Sequence, residues 1–434
     1  MNGWAGIFLL MTKTTLLALC NPFFWLVVII VLTQYRRTVY IEKKLFGQPY
    51  NNIWKQTAYS IIYGLLGGMF GSFFLLLLGI SLENIGIVYL WPLAVILLLF
   101  NPRFLCFAYA GGLIAVVSLA IRFLQPHWPV LGEVGLLRGI AEIHLPGLLA
   151  LIGILHLTES FLIYLSGHRG SSPIYLKTPA GEVVGGYSLQ RFWPLPLTGL
   201  WGLVVAEGAD ILVGGLPMPD WWPLLGEVMS PGGGEQVIYL MVPLVAGLGY
   251  SDLALSSHPG NKRIKTARHL AFYSIILSIL AVASVFSPGM LLPAALFAPL
   301  GHELIIRKGN REEFAGRPLF QAGRDYGLKV LAVFPDSPAQ KAGVQVGDWL
   351  VAVNDEPISS EMEYGDALRL NYYRVLFKIR RGRQELELPV NLYPLPASRA
   401  GLIFAPNRWA NTFVEIKQSS LWQNIRRRFS PEDS

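Results

Sequence analysis

The stretch that decides the fold of the last third of the chain reads Val333-Phe-Pro-Asp-Ser-Pro-Ala-Gln-Lys-Ala-Gly-Val-Gln-Val-Gly-Asp-Trp-Leu-Val-Ala-Val-Asn-Asp-Glu-Pro-Ile358. Short apolar runs that alternate with polar residues and are broken by Gly and Pro are typical of a soluble, β-rich domain. Ser337, followed by proline, predicts the capped start of a short helix, and Gly343 is expected to end it. Strands are predicted on either side, over 328–334 and 348–353.

The residues that follow complete a small module over 318–395. A helix is predicted over 360–369, because Ser360 can cap it and glutamates occupy its first turn. Two further strands, 372–380 and 385–390, are predicted to form a hairpin across Arg381-Gly-Arg383. The fold class predicted for this module is therefore a small α+β domain that follows the first 317 residues of the chain.

The series Ser-Pro-Ala, Ala-Gly, Gly-Asp and Val-Asn within 337–354 resembles the signature of bacterial PDZ domains, which are peptide-binding modules. The resemblance implies β-augmentation, in which an extended peptide adds a strand to a sheet edge beside a helix. Asp325 would repel a terminal carboxylate, so an internal peptide or a folded partner stays open, as does a groove used only for packing or dimerisation. The implied groove residues are Tyr326, Gly327 and Leu328 in a carboxylate-binding loop, Lys329, Val330 and Leu331 on the pairing strand, and Tyr364, Ala367 and Leu368 on the helix.

The preceding residues have a different composition. Over the 434 residues, 53% are hydrophobic and 15% are charged, whereas soluble domains carry about 25% charged residues. Repeated apolar runs of near-spanning length predict an α-helical polytopic membrane bundle over 1–310, with seven to nine spans. Residues 3–15 are expected to lie at the interface. The predicted spans are 16–34, 57–80, 85–100, 104–124, 143–166, 192–212, 237–256, 269–287 and 290–306, the last two of which could instead form a re-entrant hairpin.

Charge sets the expected orientation. Basic residues gather in alternate loops, which places the N-terminus outside and everything after 307, including the module, in the cytoplasm. The formal charge of +7 is loop charge beside the lipid bilayer, and no nucleic-acid partner is expected. The tail over 396–434 is basic and aromatic, so it either binds anionic headgroups or is simply solvated. Its basic residues are Lys417, Arg426, Arg427 and Arg428.

Glycines at 64, 67, 68 and 71 form two overlapping Gly-x-x-x-Gly spacings within one predicted span. This spacing lets helix backbones approach closely in lipid, so it predicts either packing inside the bundle or a homo-oligomer. The loop over 167–191 contains two short strand patterns, 173–177 and 181–185, and predicts a small cytoplasmic hairpin.

A search for catalytic chemistry gives no complete motif. Gly301-His-Glu303 begins a zinc-protease pattern, but Ile306 stands where the second histidine is required. His144, His156 and Glu159 share one face of the predicted 143–166 helix, which allows either interhelical hydrogen bonding or a metal or proton site. Such a site would need partners from Glu207, Asp210 or Asp252. We predict no enzyme, no catalytic residues, no metal and no cofactor.

The chain as a whole resembles the MinJ family of polytopic membrane adaptors of the Min cell-division system. The segments that carry this resemblance are His156-Leu-Thr-Glu-Ser160, Ser172-Pro-Ile-Tyr175 through Val183-Val-Gly-Gly-Tyr187, and Pro299-Leu-Gly-His-Glu303. The resemblance implies a plasma-membrane scaffold at septa and poles that bridges the curvature-sensing protein DivIVA and the membrane ATPase MinD. Two alternatives stay open: a membrane-embedded protease or hydrolase with a regulatory PDZ domain, and a transporter that uses Glu207 and Asp210.

Overall fold

The computed structural model describes residues 3–178, 181–207, 216, 218–226, 232–321, 327–370, 373–393, 400–407 and 413–415. The helices are α1 Gly3–Leu17, α2 Pro22–Phe46, α3 Ile53–Leu78, α4 Ile87–Phe100, α5 Phe107–Leu124, α6 Val130–Glu133, α7 Gly135–Ala141, α8 Leu145–Ser166, α9 Pro259–Phe286, α10 Leu291–Ala315, α11 Pro338–Lys341 and α12 Glu361–Arg369. The strands are β1 Ser172–Lys177, β2 Val183–Ala206, β3 Glu235–Ala254, β4 Leu328–Val333, β5 Trp349–Val353, β6 Glu356–Pro357, β7 Arg374–Arg381, β8 Gln384–Asn391, β9 Leu402–Phe404 and β10 Val414–Glu415.

The first two thirds of the described chain form a helical bundle. Six helices there are long and apolar enough to cross a membrane: α2, α3, α5, α8, α9 and the segment Pro288–Ala315 that contains α10. The helices α1 and α4 are apolar but shorter. α8 lies at the centre, since 72% of its apolar window is buried against neighbours. The predicted polytopic helical bundle followed by an α+β module is confirmed, and the number of spans stays a prediction.

The prediction of membrane-spanning helices over 192–212 and 237–256 is wrong. Their described residues lie mainly in the strands β2 and β3, which pair antiparallel from Tyr187↔Ala254 to Ala206↔Glu235. A strand with few polar residues and a membrane helix both read as a continuous apolar run, so hydropathy does not separate them. Pro194 and Pro196 lie where β2 has β3 on one side and α3 on the other, so their missing N–H groups cost no ladder bond.

The glycine face of α3 packs against this hairpin rather than against another copy of the chain. A Cβ atom on Gly64 would lie 2.0 Å from Pro194 O, and one on Gly68 would lie 1.9 Å from Pro196 O. The helix therefore touches the strand backbone directly, which any side chain would prevent. Of the two alternatives for the Gly-x-x-x-Gly spacing, packing inside the molecule accounts for these glycines, and a homo-oligomer stays a prediction.

The short strands predicted in the loop after α8 are present but belong to a larger sheet. β1 pairs antiparallel with the start of β2, from Ser172↔Ser188 to Lys177↔Val183. β10 lies parallel to β1, with Leu176 opposite Val414. The sheet order is β10-β1-β2-β3, so a segment from beyond the module returns to the membrane domain.

The elements predicted for the module are confirmed. The Ser337 side chain accepts from the Gln340 N–H at the start of α11, and Ser360 accepts from the Glu363 N–H at the start of α12. β7 and β8 form the expected hairpin. The sheet nevertheless extends past residue 395, because β9 joins it in the order β8-β7-β5-β4-β9. The segment 400–405 therefore belongs to the module and not to a separate tail, most of which lies outside the described residues.

Candidate functional site

The sheet edge that the sequence assigns to a bound peptide is occupied by the chain itself. β9 pairs antiparallel with β4, with Phe404 opposite Val330 and Leu402 opposite Val333. The Ala405 N–H donates to Lys329 O at 2.7 Å. These are the main-chain bonds that an added peptide strand would make.

The helix side of the groove is filled by the same segment. The Phe404 ring meets the Tyr364 ring edge to face, with centroids 4.9 Å apart, and Phe404 is 4% exposed. Ala367 and Leu368 are buried in the same apolar cluster. Burial raises the pKa of the Tyr364 phenol, whose oxygen has no hydrogen-bond partner among the described residues. The three predicted pocket residues on α12 therefore line a pocket that Phe404 occupies.

The turn before β9 fixes the segment in place. Gly401 has a φ of 92°, in the region that favours glycine, and a Cβ atom there would lie 2.2 Å from Ser337 Cβ. The Phe334 N–H donates to Gly401 O, and the Ala339 N–H donates to Ala400 O, both at 2.9 Å. The segment is thus bonded to the start of α11 as well as to β4.

The membrane domain covers this edge from outside. Tyr187 on β2 donates its hydroxyl to Leu331 O, and Tyr175 on β1 donates to Phe404 O at 2.8 Å. The Tyr50 ring packs against Phe334 with centroids 5.5 Å apart. Burial raises the pKa of the Tyr175 phenol, and the charge of Glu361 raises it further.

The predicted carboxylate-binding loop is only partly described, because Tyr326 lies outside the described residues. Gly327 has a φ of 98°, and a Cβ atom on it would lie 2.2 Å from Leu350 O, so the position requires glycine. Leu328 pairs with Leu350 on β5. The loop therefore joins the sheet tightly at its described end.

The predicted pairing strand is buried. Val330 and Leu331 are 0% exposed. The Lys329 Nζ donates to Leu319 O at 2.7 Å and lies 5.4 Å from the centre of the Trp349 ring. Burial lowers the pKa of Lys329, and the nearby charge of Arg317 lowers it further. All three residues are already engaged, by β9 or by the membrane domain.

A second polar cluster lies inside the helical bundle. The Cys106 Sγ lies 3.0 Å from His156 Nε2 and 3.7 Å from His302 Nε2. The two histidines are 4% and 7% exposed. The sequence singled out His156 and His302 separately, but it did not associate either with Cys106.

The other predicted polar partners lie elsewhere. His144 caps α8, with its Nδ1 accepting from the Gly147 N–H at 3.2 Å, and it precedes His156 by roughly 18 Å of helix. Asp252 pairs with the buried Lys262 at 3.3 Å. Glu207 is exposed at the end of β2, and Asp210 lies outside the described residues. Of the two alternatives that the sequence left open, the metal or proton site that would use Glu207, Asp210 or Asp252 gains no support from these positions.

Comparison with known proteins addresses both parts of the chain. Residues 329–381 match the PDZ domain family. The cell division topological determinant MinJ of Bacillus subtilis is 26% identical over 369 residues, which cover 85% of this chain and 87% of that protein. A probable cell division topological determinant MinJ of Lacticaseibacillus paracasei is 25% identical over 64% of this chain and 70% of its own length. The chain is a MinJ-like protein with a PDZ domain.

A mouse protease also shares part of the sequence. Serine protease HTRA3 is 40% identical over 60 residues, which are 14% of this chain and 13% of the protease. A match of that extent is the size of the PDZ module, and such modules occur in proteins of many functions. It therefore gives no support for peptide-bond hydrolysis by this chain.

The sequence analysis did not predict that β9 occupies the groove. A weak signal for this strand is present, because Gly401 precedes the apolar run Leu402-Ile-Phe404, and a glycine before a short apolar run marks a strand start. The pairing of that run with β4 spans about 70 residues of chain, and no local pattern predicts such a pairing.

Proposed function

We propose that this chain is a non-enzymatic, membrane-anchored adaptor for division-site selection. The observation that carries the proposal is the MinJ match, which extends over 85% of the chain rather than over the PDZ module alone. The six long apolar helices supply a multi-pass anchor. A module that offers strand pairing rather than reactive side chains is suited to recruitment.

The proposal extends to the binding partners and to the localisation of the protein in the cell. The chain bridges a DivIVA-like scaffold and a MinD-like ATPase, and it is enriched in the plasma membrane at septa and poles. Its PDZ module lies in the cytoplasm, where both partners would be reached. The alternation of basic loops supports that orientation, since Arg103 and Arg307 meet at one end of the bundle through Glu303.

Recruitment through the predicted groove requires β9 to dissociate from β4. The backbone of β4 that a peptide would use is bonded to β9, and Phe404 fills the pocket beside Tyr364. A partner strand therefore competes with the segment 400–405 for the same bonds. In that mechanism the apparent affinity for a partner is the affinity of the open groove multiplied by the fraction of time for which the groove is open.

The test is a fluorescent fusion expressed from the native locus, combined with recovery of bound proteins after crosslinking. We expect enrichment at septa and poles, recovery of DivIVA-like and MinD-like proteins, and filamentous cells when the gene is deleted. The matched variants are a deletion of residues 327–407 and the substitution E387Q on the outer strand β8, both at wild-type protein levels. A uniform membrane signal with normal division in the deleted strain would contradict the proposal.

A further inference from the structure

We propose that Cys106, His156 and His302 bind a zinc ion inside the helical bundle. The three side chains come from three separate elements: Cys106 precedes α5, His156 lies on α8 and His302 lies on α10. Their donor atoms all lie within 4.8 Å of one another. Thiolate and imidazole are the ligand types that zinc takes in proteins.

The spacing of the donor atoms fits one tetrahedral ion. Zinc–sulfur bonds of about 2.3 Å and zinc–nitrogen bonds of about 2.0–2.1 Å place a sulfur and a nitrogen ligand roughly 3.5 Å apart. The observed separations of Cys106 Sγ from His156 Nε2 and His302 Nε2 are 3.0 and 3.7 Å. An ion between the three atoms would require shifts of a few tenths of an ångström.

The far nitrogen of the His156 ring supports this assignment. His156 Nδ1 donates to Ile152 O at 2.8 Å, which leaves the Nε2 lone pair directed at Cys106. Ring orientation by a second hydrogen bond is the usual arrangement of a metal-binding histidine. His302 Nδ1 is buried and has no hydrogen-bond partner among the described residues. His302 Nε2 lies 3.7 Å from Cys106 Sγ, which is a long hydrogen bond, and coordination would give this nitrogen a bond of about 2.0–2.1 Å.

The surroundings hold the rings rigidly. Tyr273 contacts both histidine rings, with centroids 5.6 Å from each, and its hydroxyl donates to Ala298 O. Tyr109 packs edge to face on His302 and donates to Glu303 at 2.7 Å. Glu303 is engaged further by Arg103 and Arg307, so its carboxylate is committed to ion pairs. Three protein ligands leave one position for a water molecule.

Binding would link three parts of the bundle that are distant in sequence. Coordination replaces the thiol proton of Cys106 with zinc, and the proton passes to solvent, so the affinity rises with pH. Since α10 leads directly into the PDZ module, an ion at His302 would fix the helix that precedes it. The assignment is independent of the division role proposed above.

The test uses the full chain purified in detergent. Metal content is measured by mass spectrometry, and cobalt is titrated into metal-free protein to detect the sulfur-to-cobalt charge-transfer band. The variants are C106S, H156N and H302N, with C20S and H127N as matched controls, because Cys20 and His127 are exposed and lie outside the cluster. We expect one zinc per chain in the wild type and the controls.

The C106S variant should lose the charge-transfer band and weaken zinc binding by more than the roughly 10–100-fold cost of losing an outer-shell partner. Zinc should also protect Cys106, but not Cys20, from alkylation, and this readout does not depend on any variant folding. Absence of zinc from the wild-type chain together with no cobalt band would overturn the assignment. So would a cobalt band that C106S leaves unchanged.

Discussion

The two edges of the PDZ sheet are protected in different ways. The outer strand β8 pairs only with β7 within the described chain, and it exposes Gln384, Glu385 and Glu387 to solvent. The inner edge exposes almost nothing, since β9 pairs with β4 and the tyrosines of the membrane domain cover both. Charged residues discourage unwanted strand pairing on an open edge, whereas an apolar edge must be covered.

The difference bears on the proposal that partners bind along β4. An edge built of Val330, Leu331 and Val333 is prone to aggregation if left open, and in the proposed mechanism β9 covers it until a partner arrives. The outer edge has no such cover and offers glutamates instead. Variants on each edge should differ in how readily the sheet opens locally. This opening is measured as amide hydrogen exchange of the full chain in detergent.

The largest effect is expected for F404A. Removing a buried aromatic ring should cost about 3–5 kcal/mol of local stability, because Phe404 fills the space beside Tyr364. The amides of 328–334 that face β9, such as the Phe334 N–H that donates to Gly401 O, should lose most of their protection. The matched control L388A, on the outer strand, removes a partly exposed side chain and should leave those amides protected.

The next largest loss of protection is expected for G401A, with G382A as its control. Both Gly401 and Gly382 have positive φ, but a Cβ atom on Gly401 meets Ser337 at 2.2 Å, whereas one on Gly382 meets nothing within 4 Å. G382A should therefore cost only the backbone strain of about 1–2 kcal/mol, and G401A should cost more and release β9. Equal exchange in the two variants would show that the turn does not hold β9.

The hydroxyl of Tyr187 tests the cover supplied by the membrane domain. Y187F removes the donor to Leu331 O, and the loss of one hydrogen bond should cost about 0.5–1.5 kcal/mol. Protection of 328–334 should fall without unfolding of the module. Y393F, at an exposed tyrosine beyond β8, is the control and should change nothing measurable.

The smallest effect is expected on the outer edge. Glu387 pairs with Lys378 at 3.4 Å on the surface, and such pairs contribute about 0–1 kcal/mol. E387Q should therefore alter neither protection nor partner binding. A clear loss of partner binding in E387Q would identify β8, rather than β4, as the docking edge.

The predictable part of this fold is local. Caps such as Ser337 and Ser360 act within one turn, so the module could be assigned from sequence. The β2–β3 hairpin could not, because its apolar runs have the length and composition of membrane helices. The pairing of β9 with β4 and the meeting of Cys106 with His156 and His302 depend on contacts between distant segments, for which a single sequence carries no periodic signal.

The central claim is that partners compete with β9 for β4, and a disulfide lock tests it most directly. Val333 and Leu402 are paired across the two strands, and paired antiparallel positions have Cα separations of about 4.5–5.5 Å, which a disulfide can span. The variant V333C/L402C in a C20S background is placed in vesicles, with C20S alone as the control. We expect the oxidised form to lose capture of DivIVA-like and MinD-like proteins, and reduction to restore it. Equal capture by the oxidised and reduced forms would contradict the claim.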